Sequence, residues 1–128
     1  MEYLHKEITE KIISAFYKVY NTLGFGFLEK VYKKALYIEL NNLNIYCQTE
    51  KPVKVYYDGI IIGDYFADII VEDKVIIEIK AIEKLVHENE LQLINYLKTT
   101  NIEIGLLLNF GIEPEIKRKI YTNDMKKL

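Results

Sequence analysis

The stretch that most constrains this chain is DIIVEDKVIIEIK, from Asp68 to Lys80. Two apolar runs of period two flank Glu72-Asp73-Lys74, the pattern of a β-hairpin. With a three-residue turn, Val71 faces Val75 and Asp68 falls directly opposite Glu78. Opposed residues share a sheet face, with Cβ atoms about 4.5–5.5 Å apart. Lys80 lies two positions beyond Glu78 and points the same way, roughly 6.5–7 Å along the strand. The other face then holds Ala67, Ile69, Val71, Val75, Ile77, Ile79 and Ala81, which is core material. A two-residue turn would pair Asp68 with Ile77 and put the acids on opposite faces. The three-residue register is therefore a definite structural expectation.

The rest of the chain supplies helices around this hairpin. Apolar residues at Leu4, Ile8, Ile12, Ala15, Phe16, Val19 and Leu23 follow a helical period, and Gly24 ends it. A second helix is expected over Leu28 to Leu40, closing at Asn41-Asn42. Val53 to Tyr57 leads into Asp58-Gly59, a hairpin signal. The return strand begins at Ile60 to Ile62 and continues through Tyr65 to Val71. After the strand from Val75 to Ala81, the helical period resumes from about Val86 to Thr100 through Leu91, Ile94 and Leu97. Ile104 to Asn109, IGLLLN, reads as a strand buried on both faces. A short final helix is expected over Glu113 to Tyr121. The order α-α-β-β-β-α-β makes this an α/β fold. The strand reached through the crossover helix should lie parallel in the sheet, by a right-handed connection.

Length and composition narrow the function classes. A chain of 128 residues, half of them apolar, is expected to form a single domain over residues 1–128 with a packed core. No apolar run approaches a membrane span, and the start, MEYLHKEITEK, reads as an amphipathic helix rather than a signal segment. Cys47 is the one cysteine, which excludes an internal disulfide and points to a reducing, cytoplasmic setting. The formal net charge is −2 and Arg118 is the only arginine. Any nucleic-acid docking must therefore gather lysines locally and weaken steeply with salt.

Two carboxylates and a lysine on one sheet face are the parts of a magnesium-dependent phosphodiester-cleaving site. Unneutralised, the two acids repel and one pKa must rise. Mg²⁺ removes that penalty, taking hard oxygen ligands while keeping several waters. Asp68 and Glu78 would hold the metal, with the Ile79 carbonyl a further ligand. Lys80 would orient water or stabilise charge developing on phosphate. The plain alternative is a solvated sheet face, because Glu-x-Lys also occurs at Glu72/Lys74 and Glu115/Lys117. Glu29, in the first turn of the second helix, is either a third acid reaching the metal or an ordinary helix-start acid with Lys33 as its i+4 partner. Gln92 and Tyr96 share a helix face with Glu88 and could contact phosphate, position Lys80 or cap polar edges of the core. His87 reads as a surface or capping residue. The eleven tyrosines suit core margins better than base stacking.

Gly26-Phe27-Leu28-Glu29-Lys30-Val31-Tyr32 fits a GxxExxY signature, and EIKAIEKL, QLINYLK and GLLLNFG resemble the second half of the family named after it. The chain thereby resembles the GxxExxY proteins, grouped with the PD-(D/E)XK nuclease superfamily, from its first helix to Gly111. The resemblance implies a restriction-endonuclease-like α-β-β-β-α-β core, with a central mixed sheet flanked by helices. It implies Glu29 as the helix-borne acid, Asp68 as the metal aspartate, Glu78 and Lys80 as the ExK pair, and Gln92 with Tyr96 as a supporting QxxxY helix. Two departures are Ala67, where the superfamily has proline, and Phe66, where a basic residue is common. The expectation is a nuclease using Mg²⁺ or Mn²⁺ on nucleic acid, with DNA favoured and no membrane association. A homodimer would suit cleavage of both strands. The competing classes are a non-catalytic nucleic-acid-binding or regulatory module and a protein-interaction domain.

Overall fold

A computed structural model describes residues 4–127; Met1 to Tyr3, part of the charge-alternating start, and Leu128 lie outside the described residues. Three helices, α1 (Lys6–Leu23), α2 (Glu29–Asn42) and α3 (His87–Lys98), pack on a sheet. Its strands are β1 (Cys47–Tyr57), β2 (Ile60–Val71), β3 (Val75–Lys80), β4 (Ile104–Phe110) and β5 (Pro114–Ile120). They lie in the order β1-β2-β3-β4-β5. The sheet is mixed: β3 and β4 are parallel, and the other neighbours are antiparallel. This is an α/β, restriction-endonuclease-like arrangement.

Two apolar layers hold it together. Ile12, Phe16 and Val19 of α1, with Tyr32, Leu36 and Leu40 of α2, pack on Ile69, Val71, Ile77, Ile79, Leu106 and Leu108. On the opposite face, Leu93, Tyr96 and Leu97 of α3 cover Ile70, Ile76 and Leu107. Gly24 ends α1 at φ 69°, with its N–H donating to the Tyr20 carbonyl at 2.8 Å. That is a backbone region glycine enters without the Cβ clash.

The expected register is present. Val71 faces Val75 and Ile69 faces Ile77 across the Glu72–Lys74 turn, where Glu72 and Asp73 are both left-handed. Glu72 is also tied to Tyr46, accepting its N–H through Oε1 at 3.1 Å and donating to its carbonyl at 2.9 Å. Asp58-Gly59 closes the other hairpin in two residues, both at positive φ, as a type I′ turn requires.

Three expectations are corrected. The segment after Phe110 is not a helix over Glu113 to Tyr121; Pro114–Ile120 is β5, antiparallel to β4. Ile116 and Ile120 are four apart, a spacing that suits one helix face and one strand face equally. Pairing to the buried β4 decides for the strand, with Pro114 at its first residue, where a sheet tolerates proline. Strand β1 starts at Cys47 rather than Val53, again because an edge strand accommodates Pro52. Ala67 does not share the α1–α2 layer with Ile69; it packs with Val53 and Tyr96 on the α3 side. The chain changes course here. The β2–β3 pairing stops at Ile69, and Glu50, flanking the Thr49–Ile69 and Lys51–Ala67 pairs, is left-handed at φ 55°.

Candidate active site

Glu78 and Lys80 sit at the end of β3, a strand buried from Val75 to Ile79. The face they occupy is covered by α3, so the solvated-face reading fails for Glu78, which is only 7 % exposed. Asp68 leaves the β2 ladder next to it. Its Oδ2 accepts the Ile79 N–H at 2.8 Å, and its Oδ1 lies 3.8 Å from Lys33 Nζ. The expected direct Asp68–Glu78 pair is not part of the register, which ends at Ile69–Ile77; the two acids meet just past it, with Asp68 held on the Ile79 N–H.

Burial sets the electrostatics. Desolvation first, then the Asp68 charge and a carboxyl–carboxyl hydrogen bond with it, push the Glu78 pKa up to about 9; the Asp68 backbone and Lys80 act against this by less. Glu78 Oε1 is buried without any hydrogen-bond partner. An orphaned carboxyl oxygen beside a second carboxylate is costly, since buried polar groups are almost always paired. It is also a hard-oxygen donor pair, which fits a divalent cation that keeps much of its water. Among the described residues, no three His, Cys, Asp or Glu side chains form a ready cluster.

Glu29 begins α2, and the loop before it is held by the last residue of its own motif. The buried Tyr32 hydroxyl donates to the Gly24 carbonyl and accepts the Phe27 N–H at 3.2 Å. Its ring stacks on Phe110 at 4.2 Å. Glu29 itself is exposed, yet partial desolvation of its carboxyl raises its pKa. The charges it feels are Lys80, then Asp68, then Lys33, with Asp68 raising the pKa and the lysines lowering it. The helix therefore brings this acid within electrostatic range of Asp68 and Lys80. Lys33 is not its i+4 partner: its ion pairs are with Glu50 and Asp68.

From the other side, Gln92 Nε2 donates to the Tyr96 hydroxyl at 3.1 Å. The Tyr96 pKa is raised by burial first and by the charge of Glu78 next, with the Gln92 hydrogen bond opposing. A cleft of about 470 Å³ opens beside this pair, lined by Tyr65, Glu88, Gln92, Asn95 and Tyr96 among others. His87 is exposed at the start of α3 and takes no part.

Sequence reasoning missed four residues around the site. Lys33 and Glu50 form a charged pair against Asp68; the helical spacing hid it by offering Glu29 as a partner. Asn109, fully buried and opposite Lys80 in the β3–β4 register, clamps the segment that follows Lys80. Its Oδ1 accepts the Ile82 N–H at 3.1 Å, and its Nδ2 donates to the Ile82 carbonyl at 2.9 Å and to Glu115 Oε1 at 3.0 Å. Glu115 also accepts the Leu85 N–H at 3.0 Å. A polar residue closing the apolar run IGLLLN was the available signal.

A family model of the PD-(D/E)XK nuclease superfamily matches residues 6–119. This chain belongs to the PD-(D/E)XK nuclease superfamily. No curated protein and no solved structure gave a significant match. PD-(D/E)XK nucleases act on nucleic acid and generally use divalent metal ions, which agrees with the oxygen-rich donor pair at Asp68 and Glu78. No helix among the described residues is long and apolar enough to cross a membrane.

Proposed function

We propose that this chain is a Mg²⁺-dependent nuclease that hydrolyses DNA phosphodiester bonds. The observation that carries the reading is the Asp68–Glu78 carboxyl pair, in which Glu78 is buried with an unpartnered oxygen, followed two residues later by Lys80. Asp68 and Glu78 would hold Mg²⁺ or Mn²⁺, with the Ile79 carbonyl and Glu29 as further oxygen donors. When bound, the cation supplies charge neutralisation at the phosphate and an acidified water. Asp68 is fixed for this role by the Ile79 N–H, so little reorganisation is required. Lys80 places an ammonium where it can orient water or offset charge growing on the phosphate. Tyr96 and Gln92 present a hydroxyl and an amide at the wall of the adjoining cleft, suited to a phosphate or sugar oxygen.

Cleavage assays on single-stranded and duplex DNA with Mg²⁺ test the reading. Asp68→Ala and Lys80→Ala should each abolish cleavage while leaving the fold intact. Equal metal-dependent activity in wild type and both variants would sink the assignment.

A second reading, a non-catalytic nucleic-acid-binding module with a nuclease fold, is favoured by the net charge of −2 and the single arginine. It calls for salt-sensitive DNA binding with no metal-dependent turnover.

A further inference from the structure

The β1–β2 hairpin outruns the sheet that carries it. Strand β3 pairs with β2 only between Ile69 and Val71, and β1 is the edge of the sheet. From Tyr56 to Phe66 the ribbon therefore has no further strand on either side among the described residues. Two-stranded ribbons are marginal in water by themselves, and open strand edges invite pairing with another chain. The root of the hairpin is supported, with Tyr65 against the Tyr96 ring at 5.6 Å.

The outer part is not. Tyr56, Tyr57, Ile60, Ile61, Ile62 and Phe66 are all exposed, with Tyr57 at 65 % and Ile60 at 67 %. The register pairs Tyr56 with Ile61 and Tyr57 with Ile60, so successive apolar pairs alternate between the two faces. Divided between the two faces of the ribbon, these side chains offer on the order of 700 Å² of exposed surface, so a partner that clasps the arm on both faces approaches the ~800 Å² of a standard stable interface. Exposed apolar clusters of this kind mark interaction sites.

Charge selects the occupant. Between residues 51 and 66 the charged residues are Lys51, Lys54, Asp58 and Asp64, two of each sign. A nucleic-acid strand needs a local positive excess, and the ribbon has none. A second copy of the same neutral, apolar ribbon is complementary to it by two-fold symmetry, the commonest arrangement of soluble oligomers.

We propose that the Tyr56–Ile62 hairpin is a self-association arm through which two copies of this chain form a homodimer. The arm ends six residues before Asp68, on the same strand, so the dimer contact borders both candidate sites. The proposal does not depend on the nuclease reading, and its test involves no cleavage.

Sedimentation equilibrium of the full chain, without DNA or added metal, provides the test. The wild type should be a dimer whose association is unaffected or strengthened by high salt, as apolar contact requires. Ile60→Lys combined with Ile62→Lys should yield a monomer with an unchanged circular dichroism spectrum. Ile38→Lys, at an exposed position on α2, should leave the dimer intact. Should the double variant unfold, Tyr57→Ser is the milder perturbation and should raise the dissociation constant at least tenfold. A wild type that stays monomeric throughout the micromolar range overturns the proposal. So does a dimer that survives the hairpin substitutions. A monomer whose hairpin variants lose salt-sensitive DNA binding would also overturn it, and would assign the arm to substrate instead.

Discussion

Glu78→Gln should stabilise the metal-free protein, by an amount that grows with pH. The glutamine keeps the shape and can donate to Asp68, but it has no charge to bury. In the unfolded chain the Glu78 carboxyl titrates near 4.5, and in the folded protein at about 9. Because the folded value is raised, the side chain's contribution to stability is fully present below pH 4.5. It is lost progressively as pH rises toward about 9. At pH 7 the group sits about 2.5 units above its unfolded pKa, and at 1.36 kcal/mol per unit the penalty is about 3 kcal/mol. At pH 5 it is below about 1 kcal/mol by the same relation. Urea unfolding in chelator, at pH 5, 7 and 8.5, measures both proteins. With a urea slope of roughly 1.5 kcal/mol/M for a chain this size, the variant midpoint should lie about 2 M higher at pH 7. A pH-independent difference, or a variant less stable at pH 7, would refute the burial argument.

Two further outcomes follow from the clamps around the site. Asn109→Ala removes three hydrogen bonds from a buried position and should cost about 2–4 kcal/mol in chemical denaturation. Amide exchange at Ile82 should rise with it. Tyr32→Phe strips the Gly24 carbonyl and the Phe27 N–H of their shared hydroxyl and should cost about 1–2 kcal/mol, read as a lowered Tm.

The turn register was legible because strand alternation allows only two answers, and the Glu72–Lys74 turn adopts the three-residue one from Val71–Val75 to Ile69–Ile77. Asp68 lies beyond the last of these pairs, where Ala67 and Ile69 already face opposite layers, so alternation alone did not set its place beside Glu78. The first helix was legible through its apolar period, and Gly24 marked its end where it stands; in α3 the expected Leu91 is exposed, and Leu93, Tyr96 and Leu97 make the buried face. What the pattern did not carry was tertiary. Ile116 and Ile120 fit either a helix or a strand, and pairing with β4 decided between them. The burial of Glu78 depends on α3 lying over that face, which no local spacing reveals. The Lys33–Glu50 pair depends on a left-handed residue inside a strand, a conformation that Glu50's side chain gives no reason to expect. The apolar hairpin tip was visible in sequence as strand residues, but its exposure arises from β3 ending its pairing at Ile69.

Thermal unfolding with and without millimolar Mg²⁺ or Mn²⁺ reports whether Asp68 and Glu78 form a divalent-cation site. At ten times the dissociation constant, binding stabilises by about 1.4 kcal/mol. For a chain this size that is a rise of roughly 4–8 °C in Tm. The wild type should show this rise, and Asp68→Ala should not. A wild type with no shift, or an equal shift in both proteins, would mean that these two acids hold no cation.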